Sequence, residues 1–307
     1  MSTAPNIDII RENFDALMKQ RGASVPFELF EPASIHCDGH RLHLDVIATE
    51  NATSTLVFVP GTSVYGLIYG DFLAALATAG LNVVSVDPRG HGQSGGAKGD
   101  YTIPELVRDA RAAVTYARER FGGPVYIAGT SQGGIVAFYV AASDEKLAGA
   151  ICHNAADLGH SDRFKMTSHP LLARMAAPLV RAAAAVLPGL SINISTYLDL
   201  LSNKHHEVKA RLAADPLALK RIHLRALASL ASCPLPKPVE EIHTPVLILH
   251  GSEDTIFPQA YMQRLYARLS CPKSLRTYKG RDHFLFTIRP AEVVPDIIQW
   301  IHDIESR

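Results

Sequence analysis

The sequence predicts an α/β fold: a mostly parallel sheet with helices on both faces and a helical segment inserted between two of its strands. Three observations lead there. Short apolar, β-branched runs recur along the chain, helical segments separate most of them, and a long stretch from about Asp157 to Pro238 carries no strand pattern. Uninterrupted apolar strands alternating with helices are strands covered on both faces, the arrangement of parallel sheets with crossover helices. With 307 residues, 47% of them hydrophobic and 20% charged, the chain has material for one large domain with an insertion, or for two small ones.

The elements follow in order. Ile7, Ile10, Phe14, Leu17 and Met18 fall on one face of a helix over 6–21, and Gly22 stands where a C-terminal cap belongs. Residues 1–26 read as an N-terminal extension. Phe27 to Cys37, then Asp38-Gly39, then Leu42, Leu44 and Val46 alternating with polar residues form a hairpin signal, which adds antiparallel strands at one edge of the sheet. Strand runs follow at Thr55–Val59, Leu81–Val86, Val125–Ala128, Leu147–Cys152, Val246–His250 and Leu275–Tyr278. Helical segments are expected over 68–79, 103–120, 132–142, 259–269 and 291–305.

The strandless stretch holds Ala- and Leu-rich helical pieces punctuated by Pro170, Pro178, Pro188 and Pro216, and it closes with Cys233-Pro-Leu-Pro-Lys-Pro. It is too long for an ordinary strand-to-helix loop. A helical cap over 157–238 is expected, leaving 27–156 and 239–307 as the core.

Thirty basic and thirty acidic residues balance, and no Lys/Arg cluster is present. Nucleic acid is therefore not an expected partner, since phosphate binding needs clustered positive charge. The beginning of the sequence lacks a basic region followed by an apolar one. The nearest approach to a membrane span, Leu171 to Leu190, is interrupted by Arg174 and Arg181. A cytoplasmic protein without an integral membrane segment is expected. Cys37, Cys152, Cys233 and Cys271 show no CxxC spacing and read as reduced, structural cysteines.

The sharpest chemical signal is Gly129-Thr130-Ser131-Gln132-Gly133. It follows a strand run directly and opens a helix at once, the strand–elbow–helix setting that exposes a serine hydroxyl at the carboxyl end of a sheet. A glycine-rich turn with an incidental serine, or an anion-binding turn, is the alternative. A serine hydroxyl needs a base, and the base an orienting acid. Asp254 follows the strand run Val246–His250, and His283 follows Leu275–Tyr278, so both belong to the same rim as Ser131.

The segments VFVPG, DPRGHGQS, GTSQGG, PVLILHGSEDTIFP and KGRDHF resemble, in order and spacing, the α/β-hydrolase superfamily. Within it the likeness is to capped esterases and lysophospholipases of the monoacylglycerol-lipase type. The resemblance covers roughly residues 40–156 and 240–305, and excludes the cap and the first helix. It implies Ser131 as nucleophile, His283 as base and Asp254 as acid. Asp157 is the competing acid, because some relatives place it after the preceding strand, but the HGSED setting favours Asp254. The oxyanion hole falls to the backbone N–H groups of Gln132 and Thr62. Pro60-Gly61 departs from the His-Gly common in the family at that loop.

Tyr65, Leu67 and Ile68, just past this loop, are candidate pocket walls on position alone. Leu171–Leu190 is read either as an acyl-pocket wall or lid that meets lipid, or as a helix simply packed on the core. His91, between Gly90 and Gly92, is read as shaping a turn, Asp87 and Arg89 as an ion pair fixing that loop, and Asp282 as a turn-forming or solvated carboxylate. His205 and His206 are adjacent and point apart on a helix, and with His160, His169 and His223 they show no HExxH spacing, so no metal site is expected.

The implied function is hydrolysis of a small-molecule carboxylic ester, acyl or lipid-like and of small to medium apolar size, through an acyl-serine intermediate with no cofactor. Amide, lactone and carbon–carbon bond hydrolysis use the same three side chains and stay open, as does a non-catalytic ligand receptor. Relatives that cleave carbon–halogen bonds or epoxides carry aspartate where Ser131 stands, which disfavours those reactions. Oligomeric state has no signal in the sequence.

Overall fold

A computed structural model describes residues 6–166, 170–187, 189–201 and 206–307. His169, Pro188 and His205 lie outside the described residues. The chain begins with helix α1 (Ile7–Gln20) and a hairpin of β1 (Glu31–Cys37) and β2 (His40–Ile47). Then come β3 (Thr55–Val59), α2 (Gly70–Thr78), β4 (Asn82–Val86), α3 (Ile103–Phe121), β5 (Val125–Thr130), α4 (Gln132–Ala141) and β6 (Gly149–His153). The excursion that follows contains α5 (Pro170–Val186), β7 (Ser191–Asn193), α6 (Ile194–Leu201), α7 (His206–Ala214), β8 (Arg221–His223) and α8 (Leu224–Ser232). The chain returns through β9 (Val246–Gly251), α9 (Gln259–Arg268), β10 (Lys273–Tyr278), α10 (Leu285–Ile288) and α11 (Pro290–Glu305).

The main sheet has eight strands in the order β1-β2-β4-β3-β5-β6-β9-β10. From β4 to β10 every pairing is parallel, while β1–β2 and β2–β4 are antiparallel. The strand period of two divides the core between the two faces. Val57, Val84, Ile127, Ala150 and Ile248 pack on the side of α3 and α4, and their neighbours Leu56, Val83, Tyr126, Ile151 and Leu247 pack on the side of α1, α2 and α11.

Local chemistry explains the ends. Asn6 caps α1 by accepting from Asp8 N at 3.0 Å, and Gly22, at φ 67°, turns the chain so that Ala23 N donates back to Met18 O at 2.9 Å. Asp38 and Gly39 both have positive φ, 49° and 79°, the turn that matches the twist of a two-residue hairpin.

Several expectations are corrected. Ile7 is 51% exposed: the buried residues of α1 are Ile10, Phe14, Leu17 and Met18, and Ile7 in its first turn is not among them. The hairpin starts at Glu31, since Phe27–Leu29 forms a single helical turn. Within 157–238 the antiparallel pair β7–β8 breaks the expected absence of strands; three-residue strands are too short to show a period. Pro178 sits inside α5 without ending it. Asp87 and Arg89 do not pair: Asp87 accepts from the Gly66 and Gln93 N–H groups, each at 2.8 Å, whereas Arg89 turns away to Asp109 and Asp38, at 2.6 and 2.8 Å. His91 does shape its turn, its N–H donating to Pro88 O at 3.0 Å between Gly90 and Gly92, both with positive φ.

Candidate active site

Ser131 stands between β5 and α4 at φ 54°, ψ −119°, a strained conformation for a non-glycine residue. The strain is held in place by packing. Its N–H donates to His153 O at 2.9 Å, and a Cβ on Gly129 or Gly133 would overlap the Gly133 or Val59 carbonyl, respectively. Only glycine allows β3, β5 and α4 to approach so closely. Gln132 N is the first N–H of α4, at the positive end of the helix, where no intrahelical acceptor exists.

The loop after β3 comes alongside. A Cβ built on Gly61 would lie 3.5 Å from Ser131 Cβ, and Thr62 Oγ1 donates to Gln132 Oε1 at 3.2 Å. Tyr101 OH donates to the same amide oxygen at 3.0 Å. The two residues expected to supply oxyanion donors are thereby tied to each other through a side-chain bond.

Asp254 and His283 are in direct contact, His283 Nδ1 to Asp254 Oδ2, at 2.8 Å. The carboxylate is fully engaged. Its Oδ1 accepts from Ile256 N (2.8 Å) and Phe257 N (2.9 Å), and its Oδ2 also accepts from Asn154 Nδ2 (2.8 Å). Burial by itself would raise the Asp254 pKa, but His283 and the Phe257 N–H outweigh it and hold the carboxyl well below its usual range. An ionised carboxylate only accepts, so Nδ1 of His283 carries the proton and Nε2 of a neutral ring is left as the basic nitrogen. The ring lies parallel to Phe257, 5.8 Å between centroids, and is 7% exposed.

Behind these side chains lies a second layer. His250 Nδ1 contacts Asn154 Oδ1 at 2.8 Å, orienting the amide whose nitrogen serves Asp254. His153 Nδ1 is 2.7 Å from Thr130 Oγ1, beside the serine, and its ring stacks on Phe286 at 4.9 Å and lies 5.6 Å from His283. Burial, reinforced by His283, pushes the His153 pKa down to about 3, so it stays neutral. None of these three residues was singled out in the sequence. The available signal was their position at the carboxyl ends of β6 and β9, the rim where this fold collects polar groups.

Ser131, Gln132, Thr62 and His283 line one cavity of about 900 Å³, near the upper end for small-molecule sites. Of the pocket walls expected after the loop, Ile68 lines this cavity. Tyr65 and Leu67, 4% and 3% exposed, pack in the core on the α2 side, with the Tyr65 hydroxyl donating to Asp215 of the cavity wall. Asp157 is not near the imidazole contact: it pairs with Arg268 at 3.1 Å and accepts from the Gly159 and His160 N–H groups. Asp282 accepts from Phe284 N at 3.0 Å, a local turn. α5 presents Ala173, Ala177 and Val180 to the cavity, while Leu171, Met175 and Leu179 on another face are 78%, 72% and 71% exposed. Residues 20–23, at the end of α1, also line the cavity, so the N-terminal helix helps to wall the site.

Among the described residues no cluster of three or more His, Cys, Asp or Glu side chains is placed to hold a metal ion. Cys152, Cys233 and Cys271 are buried and free, and Cys37 is free and half-buried. No helix among the described residues is long and apolar enough to cross a membrane.

A mostly parallel eight-stranded sheet with a serine elbow after its fifth strand defines an α/β-hydrolase fold. Residues 50–287 match the Hydrolase_4 family, described as serine aminopeptidase, S33, and the chain belongs to that family. It is 27% identical over 274 residues to a monoacylglycerol lipase of Mycolicibacterium smegmatis, covering 86% of this chain and 93% of the relative. To the human monoglyceride lipase it is 27% identical over 296 residues, covering 91% and 92%. The solved structure of a monoacylglycerol lipase from Paleococcus ferrophilus superposes with a TM-score of 0.68 at 25% identity, covering 86% of this chain and 99% of that one.

Proposed function

We propose that the protein hydrolyses carboxylic esters with a medium to long apolar acyl chain, using Ser131 as nucleophile, His283 as general base and Asp254 as the orienting acid. The observation that carries this reading is the 2.8 Å contact of His283 Nδ1 with an ionised Asp254, with Ser131 and His283 facing one cavity. Ser131 Oγ attacks the ester carbonyl carbon while His283 Nε2 takes its proton, and the Gln132 and Thr62 N–H groups receive the oxyanion. Collapse expels the alcohol, protonated by His283. Water activated by the same imidazole then releases the acid. Asp254 keeps Nδ1 protonated and stabilises the imidazolium at each step.

Residues 157–238 act as a cap, with Ala173, Ala177 and Val180 forming the wall against which an acyl chain packs. Names of relatives point the same way, toward acylglycerols. The exposed row Leu171, Met175 and Leu179 gives the cap a face for transient contact with lipid.

The test is hydrolysis of a p-nitrophenyl ester series from acetate to laurate, alongside Ser131→Ala. Activity rising toward the longer chains and falling by roughly 10⁴-fold or more in the variant is the expected outcome. An inert wild type across the whole series would overturn the ester reading.

A further inference from the structure

The cavity around Ser131 has two unlike walls. Under α5 and α8 it is largely apolar, with Ala173, Val180 and Leu227, and Arg163 as the charged exception. At the corner where the end of α1, the start of α2 and the end of α7 meet, Arg21, Asp71, Arg211 and Asp215 line it instead.

The hydrogen bonds at this corner leave donors over. Arg21 uses only Nη1, donating to Ile68 O at 2.7 Å and Asp71 Oδ1 at 2.9 Å; its other two nitrogens have no partner among the described residues. The Arg211 side chain has no hydrogen bond or ion pair among the described residues. Asp215 makes no ion pair with it among the described residues; its two oxygens accept from Tyr65 OH and Leu217 N, each at 2.8 Å. Ser63, 1% exposed and lining the same cavity, has a hydroxyl without a partner. An unsatisfied buried hydroxyl is costly unless something fills its place.

The two guanidinium groups also sense each other. Burial lowers the Arg21 pKa, Asp71 opposes that, and Arg211 lowers it further. The corner also carries the Asp71 and Asp215 carboxylates, but the N–H donors that Arg21 and Arg211 leave unused are complementary to an anion with several oxygens, which guanidinium groups bind through paired N–H donors.

We propose that this corner is a subsite for an oxyanion, a carboxylate or phosphate, carried by the substrate at the end opposite its apolar chain. The inference rests on the ester reading for its catalytic consequence but not for its binding.

Binding is therefore measured first, without turnover. Ser131→Ala is titrated calorimetrically with dodecyl phosphate, with dodecanoate and with the uncharged dodecyl glycerol ether. At least one anionic amphiphile is expected to bind about tenfold tighter than the neutral one, with the advantage shrinking as salt rises. Arg21→Met or Arg211→Met, added separately, is expected to remove that advantage. Arg21 also anchors α1, so thermal midpoints accompany each titration. Arg211→Met, on a different helix, keeps the test intact if Arg21→Met unfolds.

Turnover follows, comparing dodecanoyl glycerol with dodecanoyl glycerol phosphate. The ratio of their kcat/KM values is expected to favour the phosphate ester and to fall in both arginine variants. Equal binding of neutral and anionic amphiphiles overturns the subsite, as does an anion preference that survives loss of each arginine. Preference for only phosphate or only carboxylate identifies which oxyanion the corner takes. Tight anion binding with no ester turnover leaves the subsite standing and removes the ester reading; turnover with no anion preference does the reverse.

Discussion

Asn154 Nδ2 donates to Asp254 Oδ2, at 2.8 Å, the same oxygen that accepts from His283 Nδ1. The amide is held by His250 at its other end and stands at φ 67°, a left-handed position that asparagine tolerates better than most residues. A carboxylate flanked by backbone N–H groups on one oxygen and by two side chains on the other has one orientation open to it. Asn154→Ala is expected to lower kcat roughly 10- to 100-fold with little change in KM, the scale of one hydrogen bond to a charged group. Unchanged kcat in a well-folded variant would show that the backbone donors of Ile256 and Phe257 suffice.

Asp254→Asn is expected to be more damaging, by about 10⁴-fold, because the amide would present a donor to Nδ1 and favour the wrong tautomer. Steady-state kinetics at pH 7 to 9 check this. A variant retaining most of its activity would return Asp157 to consideration as the acid.

Stability is expected to fall as the solution is acidified from neutrality. Burial lowers the His91 pKa to about 4 and the His153 pKa to about 3, so both stay neutral in the folded protein where the unfolded chain takes up protons. The sign follows: these groups add stability above their unfolded value of about 6.5, and it drains away as pH drops toward their folded values. The depressed Asp254 carboxyl adds the same trend at lower pH. Thermal midpoints between pH 7.5 and 5 should decrease, and less steeply in His91→Gln; a flat profile would contradict the assignment.

α1 is held by Phe14, whose ring meets Phe27 and Phe30 edge-on at 5.6 and 5.5 Å. Phe14→Ala is expected to cost about 3–5 kcal/mol in a denaturant titration. Because residues 20–23 line the cavity, the same change should shift the acyl-chain optimum of the p-nitrophenyl series. Loss of stability with an unaltered optimum would mean that α1 walls the cavity without shaping it.

The exposed face of α5 yields a different readout. Replacing Leu171, Met175 and Leu179 together by serine is expected to reduce hydrolysis of an ester embedded in vesicles several-fold while sparing a soluble ester. Equal losses on both substrates would argue that the row serves folding of the cap rather than lipid contact.

The sequence by itself determined the strand–helix alternation and the positions of Ser131, Asp254 and His283 after β5, β9 and β10, because strand period, glycine requirement and strand ends are written in neighbouring residues. What it left undecided depends on approach between distant segments. Asp87 and Arg89 sit two apart and look like a pair, but the β1–β2 turn, the loop after β3 and α3 bring them other partners. Tyr65, Leu67 and Ile68 all pack in the core on the α2 side, and of the three it is Ile68 that also lines the cavity, which their order along the chain does not reveal. The Asn154–His250 layer, the β7–β8 pair and the wall supplied by α1 likewise exist only where the chain folds back on itself. Hydrogen bonds and packing act over a few ångströms in space, whatever the separation along the chain, so these features belonged to the tertiary structure alone.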